Sequence, residues 1–399
     1  MKPKSNMSQI TMVIIAGLVL FILVGIIFYI SKSAIKKTTQ QGTKTTQSTA
    51  FDAQPIKEFA SKCQEKLAKE AINYVGKQGG YIYKSQGGDL IDYGDIEQGA
   101  YYILYDYSKV SYNIKQPPIY SVSPYSSVVP EYPCKYFPHP CTNPNSGNFE
   151  FDGIFGISNF PPLNVSQGPH SIQSQIENYI DNKMQSCADL TPFIGQGYNF
   201  EINKSKTTVT LASSDVRIST FMPIRIFNKA TGEQTYIDSF SATINVRLKE
   251  IYYFARDIIN NDIAKINFNL KDPANDKNSF RINILENVLS KDDIVTITDD
   301  KSQISGKQFE YRFARKNRIP ALYYYQETLN LAENTPITKD VLLQNKPLQA
   351  EDPDEDTLTF TITPNPSPPI ILNQPQMVFD VAVSDGQYTD FERITSNKI

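Results

Sequence analysis

The longest apolar run of the chain is Ile10–Ile30, which contains no charged residue and no proline. At about 1.5 Å of rise per residue, a helix over this run would span roughly 31 Å, the thickness of a bilayer's hydrocarbon core. The pattern predicts an N-terminal transmembrane helix that acts as a signal anchor, preceded by a stub at residues 1–9. A cleaved secretory signal is the alternative, although no small-residue cleavage site follows Ile30.

Two further segments show the spacing of amphipathic helices, with apolar residues three and four positions apart. The first covers residues 55–75, where Pro55 suits the first helical position and Gly76 suits the position after the last. The second covers residues 171–187, where Ser171 is a candidate N-cap. Each helix is followed by a glycine-rich turn and a tyrosine-bearing strand, so we expect the two helices to pack together.

Strand patterns dominate from residue 198 onward, with a hairpin turn predicted at 228–233. Short alternating segments, which include predicted strands at 216–218 and 224–226, are followed by a predicted helix over 249–264 and by strands near 280–284, 294–297 and 309–313. This order predicts an α+β ectodomain over 55–318, with a candidate boundary between two subdomains near residue 197. The polar segment 31–54 is predicted to be a flexible stalk, because it has little to bury.

Four cysteines occur in the chain. Cys63 and Cys187 lie on the apolar stripes of the two helices, which predicts a disulfide between them; two buried free thiols are the alternative. Cys134 and Cys141 close a loop of six residues, which favours a local disulfide over a zinc site with its closer spacing. His139 lies inside that loop, so a metal site remains the second interpretation.

The chain changes character after about residue 319, where helical periodicity ends and strand patterns alternate with turns. Three motifs mark this part: LNLAENTP at 329–336, AEDPDEDTLTF at 350–360 and FDVAVSDG at 379–386. They resemble a cadherin-like or dystroglycan-type immunoglobulin-like domain. The resemblance covers residues 319–399 and implies an all-β sandwich of a kind that commonly serves adhesion or acts as a spacer on cell surfaces.

The resemblance also implies a cofactor, because calcium-binding members hold an ion between successive domains. The positions that match are Glu333, Asp352 and Asp354, with Asp385 as a weaker fourth. Carboxylate oxygens are the ligands that calcium prefers. The alternative is an ordinary acidic turn, since the Asp-Pro-Asp sequence at 352–354 is also typical of turns.

Charge and cysteine usage bear on location and partners. The net charge of −3 provides no basic field for nucleic acid. The lysines that flank Ile10–Ile30 nearly balance, so they do not set its orientation. An even number of cysteines favours an oxidising compartment. We therefore expect a single-pass protein of the cell membrane whose C-terminal bulk is extracytoplasmic; the sequons at Asn164 and Asn203 are compatible with this.

No catalytic motif stands out, since neither an H-E-x-x-H helix nor a G-x-S-x-G turn occurs. The expected function is therefore adhesion or structural interaction, without catalysis, by a protein that contacts the bilayer through Ile10–Ile30 and a protein or glycan partner. One alternative is a receptor for a peptide or glycan that uses the nine tyrosines between Tyr101 and Tyr136. Another is an envelope hydrolase with two catalytic carboxylates.

Overall fold

The structure is a computed structural model that describes residues 53–92, 102–116, 152–153, 155–277, 279–322, 325 and 328–399. The α-helices in these residues are α1 (Gln54–Lys77), α2 (Ile172–Cys187), α3 (Thr191–Ile194), α4 (Leu248–Ala264) and α5 (Lys339–Leu342). The strands of the region before residue 319 are β1 (Tyr102–Tyr105), β2 (Ser108–Lys115), β3 (Asp152–Gly153), β4 (Gly156–Ser158), β5 (Tyr198–Ile202), β6 (Lys206–Leu211), β7 (Val216–Asn228), β8 (Gln234–Ile244), β9 (Phe280–Leu289), β10 (Asp292–Ile304) and β11 (Lys307–Arg315).

These strands form two sheets. The first has the order β3-β4-β2-β11-β10-β9, with β1 beside β2, and its β2 and β11 run parallel. In the second sheet β7 is central, β8 pairs with one side of it, and β5 and β6 lie in line along the other side. Segments from both sides of position 197 therefore contribute to the first sheet.

The helices cover the sheets and close the core. The predicted helices over 55–75, 171–187 and 249–264 are confirmed as α1, α2 and α4, and Ser171 caps α2 by accepting a hydrogen bond from the Ser174 N–H at 3.1 Å. Helix α1 contacts α2, β8 and β11. Gly76 lies inside its last turn, where a Cβ atom would come within 2.5 Å of the Glu310 carbonyl oxygen, so glycine permits this close packing.

The disulfide between Cys63 and Cys187 is present, as predicted, and joins α1 to α2 with 5.9 Å between the Cα atoms. It closes a loop of 124 residues in sequence. The other predicted disulfide, Cys134–Cys141, lies outside the described residues, as does His139.

Strand β7 differs from the sequence prediction, which placed two separate strands at 216–218 and 224–226. The structure has one strand of 13 residues with a register shift between Phe221 and Ile224 against β8. Pro223 lies at this irregularity, where its missing N–H costs the ladder little. Alternate residues of β7 face the helices throughout, so a bulge and not a turn joins the two apolar runs.

The C-terminal region is built mainly from strands, as its motifs predict. We call residues 319–399 the terminal module. Its strands are β12 (Ala321–Leu322), β13 (Thr328–Leu331), β14 (Pro336–Ile337), β15 (Ala350–Glu351), β16 (Thr359–Thr363), β17 (Ile370–Ile371), β18 (Gln376–Ser384) and β19 (Thr389–Lys398). The main sheet has the order β13-β19-β18-β16, in which β13 runs parallel to β19, and it packs on a core that includes Phe379, Val381 and Ile394. This β-sheet architecture is compatible with an immunoglobulin-like fold.

The predicted fold class is corrected by these observations. The described chain is mostly β structure with a few helices, and none of those helices is long and apolar enough to cross a bilayer. The segment Ile10–Ile30, for which the sequence predicted a transmembrane helix, lies outside the described residues together with the predicted stalk up to residue 52. The predicted fold class is therefore wrong in its N-terminal transmembrane helix, which the structure does not support.

Candidate functional site at the module junction

The acidic loops of the terminal module meet the first sheet at one place. Asp352 and Asp354 lie between β15 and β16, Asp385 lies in the turn between β18 and β19, and all three are buried. Glu333 is not with them: its side chain pairs with Lys398 at the opposite end of β19. Because β19 has ten residues, roughly 30 Å separates that end from the turn.

Arg318 is the centre of this junction and is completely buried. Its Nε and Nη2 donate to Asp354 Oδ1 at 3.1 and 2.8 Å, and its backbone N–H donates to Asp354 Oδ2 at 2.7 Å. The Nη1 group donates to the carbonyl oxygens of Phe155 and Asp262 at 3.0 and 3.1 Å. This residue, which directly precedes the terminal module, therefore bonds both to the module and to the region before it.

Arg315 makes a second set of ion pairs beside the first. Its Nη2 donates to Asp293 Oδ2 at 2.6 Å, its Nη1 lies 3.3 Å from Asp262 Oδ1, and its Nε lies 3.3 Å from Asp354 Oδ1. We call Asp262, Asp293, Arg315, Arg318 and Asp354 the junction cluster. Its members come from α4, from β10, from the end of β11, from the segment that follows β11, and from the terminal module.

The charges in the junction cluster shift one another's titration. Burial opposes ionisation of Asp354, but the guanidinium groups of Arg318 and Arg315 overcome it and hold the pKa of Asp354 below its usual value. At Asp262 burial prevails over the same two cations, so its pKa is raised. The carboxylates in turn raise the pKa of both arginines in spite of their burial. The two cations therefore favour the charged form of Asp354, whereas burial disfavours the charged form of Asp262.

A second group of polar residues surrounds the cluster on the side of the terminal module. Asp352 Oδ1 accepts hydrogen bonds from the N–H groups of Asp354 and Asp356 at 2.8 and 3.1 Å, while its buried Oδ2 has no hydrogen-bond partner among the described residues. Burial, followed by the charge of Asp354, raises the pKa of Asp352 to about 7. Lys291 Nζ lies 3.0 Å from Asp356 Oδ1, and Asn317 Nδ2 donates to Asp385 Oδ2 at 2.9 Å.

These contacts do not suit the calcium shell that the resemblance implies. Asp354 is engaged by two guanidinium groups, and Asp385 Oδ1 accepts the N–H groups of Gln387 and Tyr388. Among the described residues, no three or more histidine, cysteine, aspartate or glutamate side chains are arranged to hold a metal ion. Cations of the chain itself occupy the positions next to the predicted ligands, and calcium binding here stays a prediction.

Sequence reasoning did not identify the cationic half of this site. Arg315 and Arg318 stand in the run Arg-Lys-Asn-Arg directly before the predicted module boundary at residue 319. That run of basic residues next to a module with acidic loops is the signal that could have indicated an ion-paired junction. Asp262 could not have been found in this way, because it lies on a helix 56 residues before Arg318.

The junction has little scope for catalysis on an external substrate. Asp352, Asp354 and Asp385 are 8%, 6% and 3% exposed, and each bonds to other residues of the chain. A carboxylate hydrolase needs two carboxyl groups that face each other across an open cleft. The arrangement instead provides a fixed attachment of the terminal module.

No protein-family model and no curated protein sequence matches this chain. Among solved structures, the chain is similar to the crystal structure of Drosophila N-cadherin EC1-4, with 10% sequence identity, coverage of 51% of this chain and 67% of that chain, and a TM-score of 0.15. A similarity of this strength carries no argument about the fold or the function of the chain, and it establishes no family.

Proposed function

We propose that this protein serves adhesion or structural interaction in an oxidising, extracytoplasmic compartment and does not catalyse a reaction. The observation that supports the proposal is the junction cluster, which bonds the terminal module to the preceding region through buried ion pairs. Detaching the module would take Asp354 away from Arg315 and Arg318, and these buried cations would lose a carboxylate partner at a cost in free energy. A module held in this way suits a protein that presents binding surfaces in a fixed arrangement.

The disulfide between Cys63 and Cys187 supports the choice of compartment. Disulfides persist in secreted and cell-surface proteins, whereas the cytosol keeps most thiols reduced. Labelling of intact cells with a membrane-impermeant reagent tests this part of the proposal. We expect lysines of the ectodomain to be labelled on intact cells, and labelling only after lysis would contradict an extracytoplasmic location.

An adhesion assay tests the function itself. Cells of a non-adherent host that display the full-length chain are expected to aggregate, or to attach to cells of the native host, more than cells that display an unrelated protein. An Arg318→Met variant at an equal level of display should lose most of this effect, because the terminal module would no longer be fixed. Absence of attachment by the unaltered chain would contradict the proposal.

A receptor function is the second candidate, and one observation favours it. The hairpin of β1 and β2 belongs to the tyrosine-rich region, and it exposes Leu104 by 72% and Tyr107 completely. Large apolar side chains at a hairpin tip are suited to contact with a partner. Tyr107→Ala should reduce attachment in the assay above if this hairpin binds the partner, while leaving thermal stability unchanged.

A further inference from the structure

One edge of the second sheet is covered by a helix along β6 but not along β5. Strands β5 and β6 lie in line there, and both pair with β7 on their inner side. The outer side of β6 is closed by helix α2. Glu177 Oε1 accepts the N–H of Val209 at 2.8 Å, Gln173 Nε2 donates to the Val209 carbonyl oxygen at 3.0 Å, and Asp181 Oδ2 accepts the N–H of Thr207 at 3.1 Å. Side chains of the helix therefore take the place of a neighbouring strand.

The outer side of β5 has no such cover. The Asn203 N–H bonds to the Pro223 carbonyl oxygen at 3.0 Å, which continues the ladder between β5 and β7. Because hydrogen-bonded and non-hydrogen-bonded pairs alternate in an antiparallel ladder, the backbone groups of Phe200 and Ile202 point away from β7. No hydrogen bond from these outward groups to another described residue is found.

A groove runs along this uncovered edge. It has a volume of about 700 Å³, and the consecutive residues Asn199–Ile202 of β5 line it together with Ile194 of α3 and Asn228 at the end of β7. Alternation along β5 divides its wall into two rows. Phe200 and Ile202 form an apolar row on the side of the helices, and Asn199 and Glu201 form a polar row on the other side.

We propose that the open edge of β5 is a docking site for an extended segment of a partner protein, which adds to the second sheet as a strand. Its backbone would bond to the N–H and C=O groups of Phe200 and Ile202, which are spaced as the groups of a strand require. Its alternate side chains would lie on the apolar row and beside the polar row. The proposal deepens the proposed interaction function, on which it rests, by assigning the kind of partner and the place of contact.

The outward backbone N–H and C=O groups of Phe200 and Ile202 favour a strand over other ligands. A strand supplies backbone donors and acceptors at the same repeat as β5, so it satisfies both outward residues at once. A glycan has hydroxyl groups without that repeat. The groove also carries charges of both signs, from Asp189, Glu201 and Lys229, which gives no preference for a strongly charged ligand.

Panning of a phage-displayed library of random linear peptides of about seven residues on the full-length protein tests the proposal. We expect the selected peptides to alternate apolar and polar residues. Their binding should slow hydrogen exchange at the amides of Phe200 and Ile202. Ile202→Pro should weaken binding by about tenfold or more, because proline removes one outward N–H. Proline is tolerated on an edge strand whose N–H faces outward, so this variant is expected to fold.

Ile202→Ala is the matched control, since it keeps the N–H and loses only apolar contact, and we expect it to bind better than Ile202→Pro. The proposal is overturned if the two variants bind equally, if exchange at Phe200 and Ile202 does not change, or if the edge pairs with a second copy of the chain in sedimentation experiments. Should Ile202→Pro unfold, the exchange measurement on the unaltered protein decides. Cells that adhere normally while displaying Ile202→Pro would refute the docking site and leave the adhesion function standing.

Discussion

The module junction and the edge of β5 deal with polar groups in opposite ways. At the junction, charged side chains from five parts of the chain are buried and form ion pairs with one another. At the edge, backbone groups of a regular strand face a groove without a partner among the described residues. The difference indicates that the junction stabilises the fold, whereas the edge of β5 is available for contact with another molecule. Substitutions in the two regions should therefore have different consequences.

The largest effect is expected from Arg318→Met, which removes the central cation of the junction. Asp354 and Asp262 would remain buried with fewer partners, so we expect the free energy of unfolding to fall by about 3–5 kcal/mol, measured by urea denaturation. Arg217→Met is the matched control, because Arg217 pairs with Asp215 on the surface and should be nearly neutral. Equal losses in the two variants would show that the junction pairs are no more important than surface pairs.

Asp352→Asn should stabilise the protein at neutral and alkaline pH by about 1–3 kcal/mol. The folded-state pKa of Asp352, about 7, exceeds its usual value of 3.8, so its charged form costs stability. That cost is fully present above about pH 7 and disappears as the pH falls toward about 4. The difference between variant and unaltered protein should therefore shrink on acidification in denaturation curves. A constant difference from about pH 4 to 8 would contradict this account.

Glu177→Ala should destabilise the protein by about 1–2 kcal/mol, because it leaves the Val209 N–H at the closed half of the edge without its acceptor. Glu201→Ala, in the open half, should change stability by less than about 0.5 kcal/mol. Thermal denaturation of both variants compares the two halves directly. If Glu201→Ala were as costly as Glu177→Ala, the edge of β5 would be supported by contacts that its exposed position does not indicate.

The smallest effect is expected from chelation. Because guanidinium and ammonium groups already lie against Asp354 and Asp356, removal of calcium with EDTA should shift the Tm by less than about 1 °C. Calcium in excess over EDTA is the control. A large, reversible rise in Tm with calcium would instead show that an ion binds at the junction, and it would assign a role to the unpartnered oxygen of Asp352.

Local patterns made much of the fold predictable. The spacing of apolar residues located α1, α2 and α4 to within a few residues, and the cysteines on two of those stripes gave the correct disulfide. Periodicity works in these segments because each helix has one face to bury. The resemblance grouped Glu333 with Asp352, Asp354 and Asp385, whereas the structure pairs Glu333 with Lys398 at the other end of β19.

The remaining features depend on contacts between distant residues, which periodicity does not encode. Strand β2 pairs with β11, some two hundred residues later, and nothing local in either strand specifies that partner. The burial of Arg318 is not predictable from its local sequence, because arginines are most often surface residues. Its burial follows from three acidic residues that the fold assembles around it and Arg315, and that assembly is visible only in three dimensions.

The disulfide between the first two helices has a practical consequence for handling this protein. Helix α2, whose carboxylate and amide side chains shield β6, ends at Cys187 and is tied there to α1. Production in a reducing cytoplasm would remove that tie and make it easier for the helix to detach from the sheet. The exposed edge would then include β6 as well as β5, so it would be about twice as long and prone to self-association. Expression routed through a secretory pathway is accordingly expected to yield soluble material where cytoplasmic expression yields inclusion bodies.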